Sequence, residues 1–230
     1  MRSYEIDGRT VTMPCEVRDA SAGTALFEVD DAAAAAMVPA PFRVVETAPG
    51  RCHLVVAVID YRDNDLGDYR EVGLSLFVTP AGGGEAGTFI THLPVDQAFT
   101  CQAGRTIWGF PKTVEEIDLD RNGDRLVTTL RMDGSVVFRL TLPAGGDDDM
   151  APAPMATYSM IDGRPHVTPF VQGGTGAAVR VGGDGVDLEL GDHPLAKDLA
   201  QLGLPGPAVL ATWTEHMRGT FEAPERLEAG

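Results

Sequence analysis

Lys112 is one of two lysines in a chain of 230 residues. It ends the segment Gly104-Arg105-Thr106-Ile107-Trp108-Gly109-Phe110-Pro111-Lys112, which sets an amine behind an apolar run. The rest of the positive charge is almost wholly arginine, whose guanidinium stays protonated and cannot act as an amine nucleophile. A lysine can attack a ketone or keto acid and form an iminium once it has lost its proton. Free lysine at pH 7 is nearly all ammonium, and lowering its pKa by about four units takes roughly 5 kcal/mol of differential interaction. Burial against apolar side chains supplies shifts of that size. The expected site is therefore a desolvated lysine with Trp108 and Phe110 as its apolar flank. The plainer reading is a loop lysine that snorkels from an apolar surface.

Three further side chains could serve that chemistry. Glu71 closes a charge-rich stretch, residues 60–71, in which most acids are solvated; as a functional group it would move a proton or hold the substrate. Arg105 could bind a substrate carboxylate bidentately, or tie down the loop through backbone carbonyls, and the structural role is the favoured one. His92 lies on a strand leading toward the lysine loop, where it is either a substrate contact or a satisfied strand residue. Other chemistries find little support. The five histidines show no His-x-His or His-x-x-x-His spacing, and Asp147-Asp148-Asp149, which reads as a solvated loop, lacks the alternating ligands of a calcium loop, so no metal is expected. The glycine clusters 82–84, 173–176 and 182–185 lack a Walker lysine or a following helix and read as hairpin loops. No Gly-x-Ser-x-Gly elbow occurs.

The lysine segment resembles the nucleophile motif of the acetoacetate decarboxylase family, Gly-Arg-x-x-x-Gly/Ala-aromatic-Pro-Lys. Tyr69-Arg70-Glu71-Val72-Gly73 is similar to that family's Tyr-x-Glu-x-Gly segment, and Asp30 to Phe42 to its early helix and Val-Pro-x-Pro turn. The resemblance implies a β-barrel-like fold with the lysine in a central pocket, Lys112 as Schiff-base lysine, Glu71 as active-site acid and a homo-oligomer. Departures stand beside it. The family's second lysine, which activates the first by its charge, is Thr113 here. Its arginine before the early helix falls near Ala20, and its other glutamate near Val55 or Val56. What the resemblance implies is thus decarboxylation of a β-keto acid through a Lys112 iminium. Its alternatives are aldol or dehydration chemistry on a pyruvate-like substrate, and carbonyl-ligand binding without catalysis.

The elements that must position these groups are mostly strands. Apolar runs at 54–60, 73–79 and 88–95 read as core strands. A meander is expected at 114–119, 126–132 and 136–142, turned at Asn122-Gly123 and Asp133-Gly134, with later strands at 177–181, 186–190 and 209–221. Helices are few: one capped by Asp30 or Asp31 and ending before Pro39, and one at 193–202. The fold class is mainly β, an antiparallel barrel or strongly curved sheet with a few flanking helices, in one domain spanning 1–230. A net charge of −16 leaves no basic face for nucleic acid or an anionic membrane. The start lacks an apolar core and no run nears the roughly 20 apolar residues of a span, so a cytoplasmic enzyme is expected. Cys15, Cys52 and Cys101 are odd in number and widely spaced, which suits reduced thiols.

Overall fold

The computed structural model describes residues 2–227. A hairpin comes first, β1 (Ser3–Ile6) and β2 (Arg9–Thr12). β3 (Cys15–Asp30) runs into α1 (Asp31–Ala35), where the Asp30 carboxylate accepts from the Ala33 amide at 2.9 Å as the expected cap. After the short β4 (Phe42–Val44) and β5 (Glu46–Ala48), an antiparallel meander forms from β6 (Arg51–Asn64), β7 (Tyr69–Pro80) and β8 (Gly87–Val95). α2 (Ala98–Trp108) and β9 (Lys112–Val114) follow. A second meander comprises β10 (Glu116–Asn122), β11 (Arg125–Met132) and β12 (Ser135–Pro143). The remaining elements are β13 (Asp148–Ile161), β14 (Arg164–Val181), β15 (Asp187–Leu190), α3 (Pro194–Gln201), β16 (Ala208–Phe221) and β17 (Glu225–Arg226).

The large sheet has the order β4-β7-β6-β3-β16-β14-β13-β8-β9, and an additional β7–β8 pairing closes the run from β7 to β8 on itself. The fold is thus the mainly β, barrel-like one that the sequence leads us to expect. β10-β11-β12-β15 form a separate four-stranded sheet. Strand period sorts the apolar residues of the large sheet onto two faces. Leu54, Val56 and Val58 of β6 and Val72, Leu74 and Leu76 of β7 join one cluster with Phe138, Leu140 and Leu142 of the small sheet and Leu195 and Leu199 of α3. On the other face Tyr61, Tyr69, Leu93 and Val95 pack against Ile6 and Val11 of the hairpin and against Ala103, Ile107 and Trp108 of α2. No helix among the described residues is long and apolar enough to cross a membrane.

The hairpins at Asn122-Gly123 and Asp133-Gly134 form as expected, with positive φ at Gly123, Asp133 and Gly134. Three local expectations do not hold. The run Gly173 to Gly176 lies inside β14, where a Cβ on Gly173 would come 2.9 Å from Pro152 Cα, so these glycines permit close strand approach. Asp148 and Asp149 start β13, with their side chains exposed. The segment before the lysine is not a loop. It is α2, capped by the Gln97 side chain on the Thr100 amide at 2.9 Å, and its buried face repeats through Thr100, Ala103, Gly104, Ile107 and Trp108.

α2 stops at Gly109, whose φ of 67° turns the chain toward the lysine. A Cβ there would lie 2.6 Å from Met160 O, whereas one at Gly123, φ +61°, would meet nothing within 4 Å. Gly123→Ala should cost about 1–2 kcal/mol for the left-handed backbone, and Gly109→Ala about 3 kcal/mol once the clash is added. Urea unfolding of the two variants checks this; equal losses would show that Met160 yields freely.

Candidate active site

Strand register brings the acid and the amine together from distant sequence. Glu71 pairs with Val95 across β7–β8, and Lys112 pairs with Leu93 across the parallel β8–β9 contact, so both stand on the face that α2 covers. Tyr69, two residues before Glu71, shares that face, and Tyr61 lies directly opposite Tyr69 on β6. α2 crosses with Gly104 toward the lysine. A Cβ on Gly104 would sit 2.6 Å from Lys112 Cδ and 2.7 Å from Cε, so the bare glycine provides the space for the lysine stem. The Lys112 amide donates to Phe110 O at 2.8 Å, which fixes the turn through Pro111.

Lys112 Nζ lies 2.7 Å from Glu71 Oε2, and both residues are buried, at 3% and 6% exposure. Nζ also donates to Thr100 Oγ1 at 3.3 Å and to Tyr69 OH at 3.5 Å, and stands 4.8 Å from the Tyr69 ring centroid. Tyr61 OH donates to Glu71 Oε1 at 3.3 Å, while the Tyr61 and Tyr69 rings stack at 4.4 Å. The amine is therefore enclosed by one carboxylate, one phenol and one hydroxyl.

Electrostatics in this resting arrangement run against the lowered pKa expected from burial alone. Burial does pull the Lys112 pKa down, but the charge and hydrogen bonds of Glu71 and the Tyr69 hydroxyl outweigh it and hold the amine above the ordinary lysine value. Burial likewise raises Tyr69, against the pull of the Lys112 charge, to about 12, and raises Tyr61 well above its ordinary value. The resting pair is thus an ammonium beside a carboxylate, with both phenols protonated. Transfer of a proton across the 2.7 Å contact from Nζ to Oε2 would leave a neutral amine and a neutral acid.

The other predicted residues are placed differently. Trp108 and Phe110 are buried in the same cluster and stack at 5.8 Å, with Trp108 Nε1 donating to Glu222 O at 2.9 Å. The ring that approaches Nζ is Tyr69 instead. Arg105 is on the exposed side of α2, in its last turn, and among the described residues it neither meets the lysine nor bonds a backbone carbonyl. Its charge there complements the helix C-terminus. His92 pairs with Leu74 and so faces the other side of the sheet, one residue out of phase with Leu93. Burial lowers its pKa, opposed by Asp198 of α3, and its Nδ1 lies 3.2 Å from Thr91 Oγ1. Tyr61, Tyr69, Thr100 and Gly104 took no role in the sequence reading. The signal for Tyr69 was its two-residue offset from Glu71; Thr100 becomes visible only once α2 is read as a helix. Two cavities of about 860 and 260 Å³ lie elsewhere, neither lined by Lys112 or Glu71. Among the described residues no three His, Cys, Asp or Glu side chains gather to hold a metal ion.

Comparison with known proteins points to one family. Residues 6–223 match the family model described as acetoacetate decarboxylase (ADC). The chain is similar to the crystal structure of acetoacetate decarboxylase from Legionella pneumophila, at 20% identity and a TM-score of 0.69 over 94% of this chain and 87% of that one. It is similar to the enduracididine biosynthesis enzyme MppR complexed with pyruvate, at 18% identity and TM-score 0.65, over 95% and 91% of the two chains. An acetoacetate decarboxylase-like enzyme from Sphingomonas wittichii RW1 aligns at 19% identity and TM-score 0.60 over 96% of each chain. No curated protein sequence matches. At these identities the structures establish the fold alone, while the family model spans nearly the whole barrel and both members of the buried pair: the chain belongs to the acetoacetate decarboxylase family.

Proposed function

We propose that the chain is a lyase that condenses Lys112 with a small keto acid and decarboxylates a β-keto acid through the resulting iminium. The observation that carries this reading is the buried Nζ–Oε2 contact of 2.7 Å. Glu71 accepts a proton from the ammonium, and the neutral amine attacks the keto carbon. Glu71 returns that proton to the carbinolamine hydroxyl, which leaves as water and gives the iminium. The bond to the carboxylate then breaks, its electron pair enters the iminium to form an enamine, and carbon dioxide departs. Protonation of the enamine carbon and hydrolysis release the ketone and the free amine. Tyr69 and Thr100 hold Nζ between these steps, and Tyr61 holds the carboxylate. The same reading has the chain act as a homo-oligomer, as the family resemblance implies, in the cytoplasm and without a cofactor.

Energetics supports a functional pair over a structural one. Removing two charges from water costs several kcal/mol per ion, so replacing a buried ion pair with apolar side chains is often neutral or stabilising. A second reading, aldol or dehydration chemistry on a pyruvate-like substrate by the same iminium, draws support from Thr113 in place of the second lysine and from MppR, which binds pyruvate. Carbonyl-ligand binding without turnover is the third.

Borohydride reduction of the chain with acetoacetate, and separately with pyruvate, should give a mass adduct that disappears in Lys112→Ala; carbon dioxide release then separates decarboxylation from aldol chemistry. With no adduct from any keto acid, the binding reading would stand. Glu71→Gln removes the charge that raises the Lys112 pKa, so amine labelling should reach half-maximum at lower pH than in the wild type, by about one pH unit or more. An unmoved profile would mean that Glu71 does not govern the amine. Glu71→Leu alone should cost about 3–5 kcal/mol by leaving a buried unpaired charge, and adding Lys112→Met should recover most of it. Urea unfolding of the cycle measures this, and additive losses would contradict the pair's mutual dependence.

A further inference from the structure

The face that carries Glu71 continues, without another charge, across six strands of the large sheet. Ladder partners share a face, and the register defines three rows. Ala177, Thr214, Ala22, Ile59, Glu71 and Val95 form the first. Val179, Thr212, Thr24, Ala57 and Gly73 form the second. Val181, Leu210, Leu26, Val55, Ser75 and Ile90 form the third. Glu71 is their one ionisable side chain, on a chain of net charge −16. The next position outward brings Glu28 opposite His53, so the uncharged stretch has a defined end.

We infer that this uncharged face, leading from the Lys112–Glu71 pair, receives an extended apolar substituent of the carbonyl substrate, so that medium-chain keto acids or ketones are favoured over acetoacetate-sized ones. The inference rests on the Schiff-base reading and adds the substrate class. Three observations carry it. Beyond Ile59 and Val95, which stand directly beside Glu71, the next residues are small: Gly73 follows Glu71 by two positions on β7, Ala57 opposes Gly73, and Ala22 opposes Ile59. A Cβ on Gly73 would meet the end of the Leu93 side chain at 3.4 Å and Ala57 Cβ at 3.7 Å, so the side of Gly73 nearest the pair is bounded by Leu93 and the rest by a single methyl group. Thr24, Leu26, Val55, Ala57, Ile59, Ser75, Ile90, Leu210 and Thr212 are each half-buried in the lone chain, whereas Val179 and Val181 at the margin are 66% and 82% exposed. The middle of the face is thus better sheltered from water than its margin. From Ile59 to Val55 the strand advances about 13 Å at roughly 3.3 Å per residue, the length of a medium-chain acyl group. A second carboxylate on the substituent would find no guanidinium or ammonium on these rows.

Methyl ketones, the products of the proposed decarboxylation, give a stable probe series. The full chain is incubated with propanone, pentan-2-one, heptan-2-one or nonan-2-one, reduced with borohydride, and the Lys112 adduct quantified by intact mass. The concentration for half-maximal adduct should fall by about tenfold or more from propanone to heptan-2-one, given partial burial of the added methylenes. Val55→Asp should flatten that dependence, and the milder Val55→Ser should weaken it, with thermal melting reporting that both fold. Equal concentration dependence across the series, with adducts formed, overturns the inference and leaves the Schiff-base reading intact. No adduct with any ketone or with acetoacetate removes both. A Val55→Asp chain that changes from oligomer to monomer in sedimentation but keeps the chain-length preference makes the face a subunit interface and also overturns the inference.

Discussion

An ammonium and a carboxylate held 2.7 Å apart, each more than nine-tenths buried, constrain everything around them. Neither ion could be buried alone, because the penalty for an unpaired charge exceeds what packing returns. Together they still need their remaining hydrogen-bonding capacity filled, and Tyr61, Tyr69 and Thr100 fill part of it. Each of these is placed by a different element: β6, β7 and α2. The site therefore exists only when the sheet register, the helix and the turn at Gly109 are all in place. Two glycines are tight among these requirements, since a methyl group would lie 2.6 Å from the lysine stem at Gly104 and 2.6 Å from Met160 O at Gly109.

The division of the sheet into two faces explains how one barrel supports both an apolar core and the buried Lys112–Glu71 pair. One face is closed by the small sheet and α3, with leucines, valines and Trp213 fully buried. That packing fixes strand position, and so fixes where Glu71 and Tyr69 project on the opposite face. The opposite face is left less densely covered away from α2, which is what a substrate requires. A mutation in the first cluster can thus reach the chemistry through register without touching a reacting atom.

Legibility in the sequence followed the physics of each element. The tight hairpins announced themselves through Asn122-Gly123 and Asp133-Gly134, where positive φ restricts the residue choice. Lys112 and Glu71 were visible as residue types and motif, yet nothing local in the sequence implies that they touch, because contact depends on β7, β8 and β9 pairing in one register. α2 was read as a loop because Gly104, Thr106 and Trp108 are modest helix formers. Its buried periodicity, Thr100, Ala103, Gly104, Ile107, was present all the same. Arg105 and His92 illustrate the converse: proximity in sequence to the lysine or its strand says nothing about side, and one position of phase sends each elsewhere. The glycines of β14 were misassigned to a turn because a glycine run that allows close strand approach looks the same as one that reverses the chain.

The raised pKa of the resting lysine and its need to be neutral are compatible, because the proton has a destination. In water, a lysine loses its proton to solvent; in the proposed chemistry the acceptor is Glu71, 2.7 Å away, and the transfer would convert two buried charges into none. The ion pair survives in the resting chain through its mutual attraction and its three hydroxyl neighbours, which offset the cost of desolvation. Anything that further dries the site raises that cost for the charged form while leaving the neutral form almost unaffected. An apolar substituent settling on the uncharged rows beside Glu71 does this as it displaces water. On the proposed reading, substrate binding would then drive the proton toward the carboxylate at the moment a neutral amine is wanted. With Thr113 in place of a second lysine, the proposed activation need not come from like-charge repulsion: desolvation by the substrate would supply the same bias from the opposite direction.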